Sequence, residues 1–171
     1  MRARYVIAFA LAAVLTACGP KAKTADAGAP DANLAAAKAF MAKTAKEPGV
    51  QTTASGLEYK IVRSGPSTGL RPQEGDEIKV HYEGKLPNGR VFDSSYARGV
   101  PAAMPLDGLI PGWIEALKLM RPGDEWILYV PPELGYGAEG AGGGEIPANS
   151  ALIFKIELID LLPAPGHVQQ G

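Results

Sequence analysis

The residues that could do chemistry are mostly aromatic. Tyr82, Phe92, Trp113, Tyr136 and Phe154 fall near the ends of predicted elements or on their inward faces. Ile110 and Ile146 each sit directly before a proline, in loops, and Asp93 follows Phe92 in an otherwise apolar segment. Residues of these types build either a plain core or an apolar pocket with a few polar groups. A carboxylate beside core aromatics and a loop-borne tyrosine tilt the balance toward a pocket, and both readings stand at this point.

Other constellations dissolve on inspection. Gly135-Tyr136-Gly137-Ala138-Glu139-Gly140 spells G-x-G-x-x-G, with Glu157 about twenty residues on. Pro131-Pro132 cuts the motif from its strand, and the glycine run that follows cannot open a helix, so a dinucleotide site is not expected. His81, Asp93, Ser94 and Ser95 hold the residue types of a hydrolase. There is no G-x-S-x-G elbow, and His81 alternates outward from Val80 and Tyr82, which makes it a solvent-facing strand residue. Two His and one Cys cannot build a usual zinc site, and one Cys rules out an internal disulfide framework. No metal and no cofactor is expected. The 17 Lys+Arg are scattered singly against 18 Asp+Glu, for a net charge of −1, so nucleic acid is set aside as a partner.

The elements that must position these residues can be read from periodicity. The chain has 171 residues, enough for one ordinary domain plus tails, and its 21 Gly and 15 Pro point to many turns and short strands. Leu57, Tyr59 and Ile61 alternate with Glu58 and Lys60; Ile78, Val80 and Tyr82 alternate with Lys79, His81 and Glu83. Both runs predict half-buried antiparallel strands. Asn88-Gly89 marks a turn, after which Val91 to Asp93 continues as a strand. Pro111 suits the first turn of a single short helix whose face is Trp113, Ile114, Leu117 and Met120. Trp126 to Val130 and Leu152 to Leu158 read as two further strands. Residues 131–149 form a Gly/Pro loop between them. The spacing predicts an α+β fold, an antiparallel sheet packed on one helix. No internal repeat is present.

The first segment reads as an address. Arg2 and Arg4 precede a ten-residue apolar run, Val6 to Leu15, too short for a bilayer span of ~20 residues. This pattern is a secretory signal peptide. Its ending, Leu15-Thr16-Ala17-Cys18, resembles the lipobox of bacterial lipoproteins, which implies cleavage before Cys18 and a lipid anchor on it. More than one acyl chain is needed for stable anchoring, and a lipoprotein anchor supplies that. Gly19 after the Cys resembles the pattern sent to an outer membrane. The expected location is therefore the cell envelope, on the outer membrane facing the periplasm. Residues 19–32 read as a flexible tether. Leu34 to Lys46 is a predicted helix, with Asp31 or Asn33 as cap. At about 13 residues it is marginal alone and must pack on the main domain or on a second copy. It is short for a dimer arm, so a monomer is expected. The organisation is then signal peptide 1–17, lipidated Cys18 and tether 18–32, short helix 33–50, main domain 51–162 and polar tail 163–171.

Five ordered motifs now bear on function. They are Val80-His81-Tyr82-Glu83-Gly84, Phe92-Asp93-Ser94-Ser95, Leu109-Ile110-Pro111-Gly112-Trp113, Pro132-Glu133-Leu134-Gly135-Tyr136-Gly137 and Ile146 to Phe154. In order and spacing they resemble the FKBP-type peptidyl-prolyl cis–trans isomerases, over about residues 53–162. The short helix and the lead-in Thr52 to Leu57 resemble the macrophage infectivity potentiator type. The resemblance implies a five- or six-stranded antiparallel sheet curled around the helix that starts near Pro111. It also implies a prolyl pocket. Tyr82, Phe92, Leu109, Ile110, Trp113, Ile146 and Phe154 would line it, with Trp113 as floor. The Tyr136 hydroxyl and the Ile110 N–H would hold substrate carbonyls, and Asp93 would accept hydrogen bonds at the rim. Ala102 stands where the family often has Phe, and Met104 where another aromatic is common; both are expected to touch substrate. The implied activity is rotation of X–Pro bonds in folding polypeptides, with macrolide-type inhibitors as candidate occupants of the same cleft. A non-catalytic chaperone or peptide-binding module using that cleft is the alternative.

Overall fold

The computed structural model describes residues 30–167. The predicted signal peptide, the lipobox with Cys18 and most of the tether lie outside the described residues. Among the described residues, no helix is long and apolar enough to cross a membrane.

The elements run α1 (Pro30–Thr44), β1 (Val50–Thr52), β2 (Glu58–Arg63), β3 (Glu77–Lys85), β4 (Val91–Ser94), α2 (Ser95–Arg98), β5 (Ala102–Pro105), α3 (Pro111–Leu119), β6 (Glu125–Val130) and β7 (Leu152–Leu162). The seven strands form one antiparallel sheet in the order β1-β2-β6-β7-β3-β4, with β5 also paired to β3. β3 meets β5 through residues 77–80 and β4 through residues 83–85. The two short strands thus share one edge of β3, and α2 lies between them in the chain.

The sheet curls around α3, as expected, but it has seven strands instead of five or six. The two extra strands are short. β1 has three residues, too few to show a period. β5 is Ala102-Ala103-Met104-Pro105, whose alanines and proline carry little β propensity. The α2 turn was also missed: Ser94 caps it by accepting the Ala97 N–H, and Gly99 ends it in a left-handed conformation.

The main core lies between sheet and α3. Trp113, Ala116, Leu117 and Met120 meet Leu57, Val80, Leu128, Ile156 and Leu158, all buried. Ile114, expected on this face, is half-buried. A smaller cluster sits under α1, where Ala37 and Met41 pack on Tyr129 and Ala151. The helix therefore packs on its own sheet, the first of the two partners named above.

Three local readings are corrected. α1 begins at Pro30, not Leu34, since proline suits a first helical turn. Asp31 and Asn33 consequently lie inside the helix, and Asn33 bonds Ala148 O instead. In β2 the alternation fails: Glu58 is buried beneath α1, bonded to Thr44 Oγ1, while Ile61 is 40% exposed. Burial raises the Glu58 carboxyl above its ordinary range; the Thr44 bond opposes this and the nearby Glu47 charge adds to it. The segment after Pro163 also packs: Asp76, fully buried, accepts from Ala164 N at 2.8 Å and pairs with His167 Nδ1 at 2.7 Å.

Candidate active site

The site opens over α3. Pro111 starts that helix and fixes its first turn, which puts Trp113 against the concave face of the sheet. The curl of β3 and β7 brings Tyr82 and Phe154 to the same place, and β4 adds Phe92 and Asp93. The rings meet edge to face: Tyr82–Trp113 at 5.1 Å, Trp113–Phe154 at 5.2 Å and Phe92–Phe154 at 5.6 Å between centroids. Gly84 makes this packing feasible. A Cβ there would lie 2.5 Å from the Phe92 ring and 2.8 Å from Phe154.

Over these rings lies a cavity of about 470 Å³, within the usual range for small-ligand sites. Its walls include Leu109 and Ile110 from the loop before α3, Met104 from β5, and Tyr136 and Ile146 from the long loop. Every residue expected at the pocket is at the cavity except Ala102. That residue is half-buried against the core and does not line the cavity. A methyl side chain on β5 is too short to reach where a Phe would. Sequence reasoning missed Gly108, Ala141, Gly142 and Glu145, which also line the cavity. It also missed Arg98.

Arg98 binds the Asp93 carboxylate through Nη1 and the Tyr82 hydroxyl through Nη2, the latter at 3.0 Å; Tyr82 in turn donates to Asp93. Burial pushes the Asp93 carboxyl up, but the Tyr82 and Arg98 hydrogen bonds outweigh it and hold the group below the ordinary carboxylate range. Burial, then the bond to Asp93, raises the Tyr82 phenol. The rim is therefore a fixed, ionised carboxylate with two standing partners. The signal for Arg98 was available: it lies five residues beyond Asp93, across the helical turn that Ser94 caps.

Two donors at the cavity have no such partners. The Ile110 N–H and the Tyr136 hydroxyl bond to nothing among the described residues. Burial and then the Asp93 charge raise the Tyr136 phenol, so it stays protonated and able to donate.

The decoys resolve structurally. Ser95 is fully buried; its Oγ accepts the Tyr82 N–H at 2.7 Å and lies 2.9 Å from His81 Nδ1, so it cannot meet a substrate. His81 stacks on Tyr96 at 4.7 Å. The glycine motif leads into a three-residue 3₁₀ turn, Gly142–Gly144, and not a helix. Among the described residues no group of His, Cys, Asp and Glu could hold a metal ion.

Comparison with known proteins gives this arrangement a lineage. Residues 69–159 match the model of the FKBP-type peptidyl-prolyl cis-trans isomerases, and residues 6–61 that of the domain amino-terminal to such isomerases. The chain belongs to the FKBP family. It is 50% identical over 129 residues to the peptidyl-prolyl cis-trans isomerase Mip of Coxiella burnetii, covering 75% of this chain and 55% of that protein. It is 49% identical over 123 residues to the FKBP-type 22 kDa isomerase of Escherichia coli, covering 72% and 58%. Among solved structures, FkpA from Escherichia coli superposes with a TM-score of 0.74 at 46% identity, covering 80% of this chain and 62% of that one. A Pseudomonas syringae peptidyl-prolyl isomerase gives 0.72 at 38% identity, covering 80% and 98%. The chain thus spans a little over half the length of the first two of these relatives.

Proposed function

We propose that the chain is a peptidyl-prolyl cis–trans isomerase acting on X–Pro bonds of folding polypeptides. The observation that carries this is the aromatic cavity floored by Trp113, with two unengaged donors, Ile110 N–H and Tyr136 O–H, beside it. The barrier to rotation is amide resonance, ~18–20 kcal/mol. No bond is made or broken in crossing it. In the twisted state resonance is lost and the imide is less polar than when planar. An apolar hollow therefore disfavours the planar form more than the twisted one, which is differential binding of the transition state. The donors hold the flanking carbonyls and fix the substrate's axis. Asp93, ionised and clamped by Arg98 and Tyr82, adds an acceptor at the rim without acting as an acid.

The test is exchange of a proline-containing peptide between its cis and trans forms, followed with the full chain. Acceleration over buffer is expected, with kcat/KM falling in Asp93→Ala. Folded protein that leaves the rate at the buffer value overturns the reading; suppression of client aggregation alongside such inertness would favour a binding module. Macrolide-type inhibitors are proposed as occupants of the same cavity, and competition with the peptide tests this.

Location is part of the proposal. The run Leu15-Thr16-Ala17-Cys18 after an apolar stretch supports lipidation at Cys18 and an envelope site, on an outer membrane where the host has one. Cys18→Ser is expected to abolish lipid labelling, and unchanged labelling refutes it. The cover that α1 finds on its own sheet supports a monomer, which a mass measurement of the delipidated chain checks.

A further inference from the structure

The segment 146–150 has two sides. Toward the cavity it carries Ile146, whose N–H and carbonyl both pair with Ala141 at 3.0 and 2.9 Å. Toward the outer face it meets the start of α1, through two side-chain hydrogen bonds. Asn33 Nδ2 donates to Ala148 O at 2.9 Å, and Asn149 Nδ2 donates to Pro30 O at 3.1 Å. These bonds span 115 and 119 residues of sequence, so local chain geometry does not account for them.

Asn149 is the node. Among the described residues it is the one non-glycine position with a left-handed backbone, φ 56°. Asn tolerates that region better than most residues. The turn directs its N–H to Gly137 O at 2.7 Å, next to Tyr136. One residue thus ties the Tyr136 side of the long loop to the first turn of α1. Other ties hold the loop to the main domain, through buried Ile146 and the Arg90 bond to Glu145 O, but Asn149 and Asn33 are its hydrogen bonds to α1. Gly137, Gly140, Gly142, Gly143 and Gly144 all have positive φ, and such a glycine-rich stretch is costly to order.

We propose that Asn149 is a positioning residue for the pocket and that α1 acts through it as a strap. Docking of α1 fixes segment 146–150, which in turn fixes where Tyr136 and Ile146 stand over the cavity. The effect on turnover rests on the isomerase reading above; the effect on loop order does not.

Two variants of the full chain test this. Asn33→Ala removes one bond and keeps α1, since Ala is the best helix former. Asn149→Asp keeps the shape and the left-handed turn but replaces the donor with an acceptor facing the Pro30 carbonyl. Amide exchange over residues 137–148 should quicken about two- to tenfold in each, the range one lost hydrogen bond supplies. Exchange in β3 and β7 should stay as it was. KM for a prolyl peptide should rise by a similar factor, with the thermal midpoint lowered by only about a few degrees. Unchanged loop exchange in both variants overturns the proposal, as does quickening spread evenly over the sheet. If the unaltered chain lacks turnover, the isomerase reading falls and the exchange result still decides this one.

Discussion

The two tryptophans invite comparison. Trp113 and Trp126 are each 5% exposed, both belong to the main core, and neither buried indole N–H has a partner among the described residues. By burial and polar satisfaction they are the same residue. Their ring faces differ. Trp126 is stacked on Tyr59, with centroids 4.5 Å apart and planes 10° from parallel. Trp113 meets Tyr82 and Phe154 edge to face and borders the cavity. What covers the ring, and not how deeply it is buried, separates a structural indole from one that can receive a ligand.

The largest expected effect comes from breaking this pair. Trp113→Leu and Trp126→Leu should each destabilise the fold by about 2–4 kcal/mol, the usual cost of shrinking a large buried side chain. Only Trp113→Leu should also reduce kcat/KM for a prolyl peptide, by about tenfold, equivalent to ~1.4 kcal/mol of transition-state binding. Denaturant midpoints and exchange kinetics, at a temperature where both variants are folded, supply the two numbers. Equal losses of turnover would erase the distinction.

A second contrast uses two glycines at close approaches. A Cβ at Gly84 would strike the Phe92 and Phe154 rings, while one at Gly65 would lie 2.2 Å from the Pro122 carbonyl oxygen, away from the cavity. Overpacking costs about 1–3 kcal/mol in either place. Gly84→Ala should in addition push the rings into the cavity and lower kcat/KM severalfold. Gly65→Ala should leave kcat/KM alone at a temperature where it remains folded.

The legibility of the sequence divides along similar lines. β3 and β7 are readable because one face is buried and the period-two pattern survives, β4 because it follows the Asn88-Gly89 turn, and β6 because it is a short apolar run. The pocket residues were readable as five spaced motifs, and their convergence follows from the curl of the sheet. Ala102 stands where the family often has Phe, and a methyl group at that position does not line the cavity. Glu58 failed because alternation assigns a charged strand residue to solvent, and only the docking of α1 puts it under cover. Arg98 and Asn149 belong to hydrogen bonds set by turns, Ser94-capped in one case and left-handed in the other. Neither type of bond leaves a periodic trace.

Glu58 and Asp76 give the contrast a pH dependence, both away from the cavity. The raised Glu58 carboxyl favours folding when protonated. Its contribution is complete below the unfolded value, near 4.5, and is lost as pH rises through the folded one. Asp76 runs the other way. Burial raises its carboxyl, but bonds from the Ala164 and Gln73 N–H groups and from His167 hold it below 3.8. Its contribution is present above that unfolded value and is lost as pH falls through the folded one. Glu58→Gln should therefore flatten the decline in stability just above pH 4.5, and Asp76→Asn should flatten the acid limb, seen in thermal midpoints against pH. Neither should alter kcat/KM at neutral pH.

The smallest effect is the most discriminating. Tyr136→Phe deletes one hydroxyl that has no partner among the described residues. The folded chain loses no internal hydrogen bond, so the thermal midpoint should hold. A substrate carbonyl would lose one neutral hydrogen bond, about 0.5–1.5 kcal/mol, or roughly two- to tenfold in kcat/KM. Burial, and then the Asp93 charge, raise the phenol. The unaltered chain should therefore keep this donor as pH passes the ordinary tyrosine value of 10.0, and lose it only at higher pH. A variant with unchanged kcat/KM would mean that the hydroxyl does not hold substrate. The contrast between the two indoles would then rest on ring faces alone.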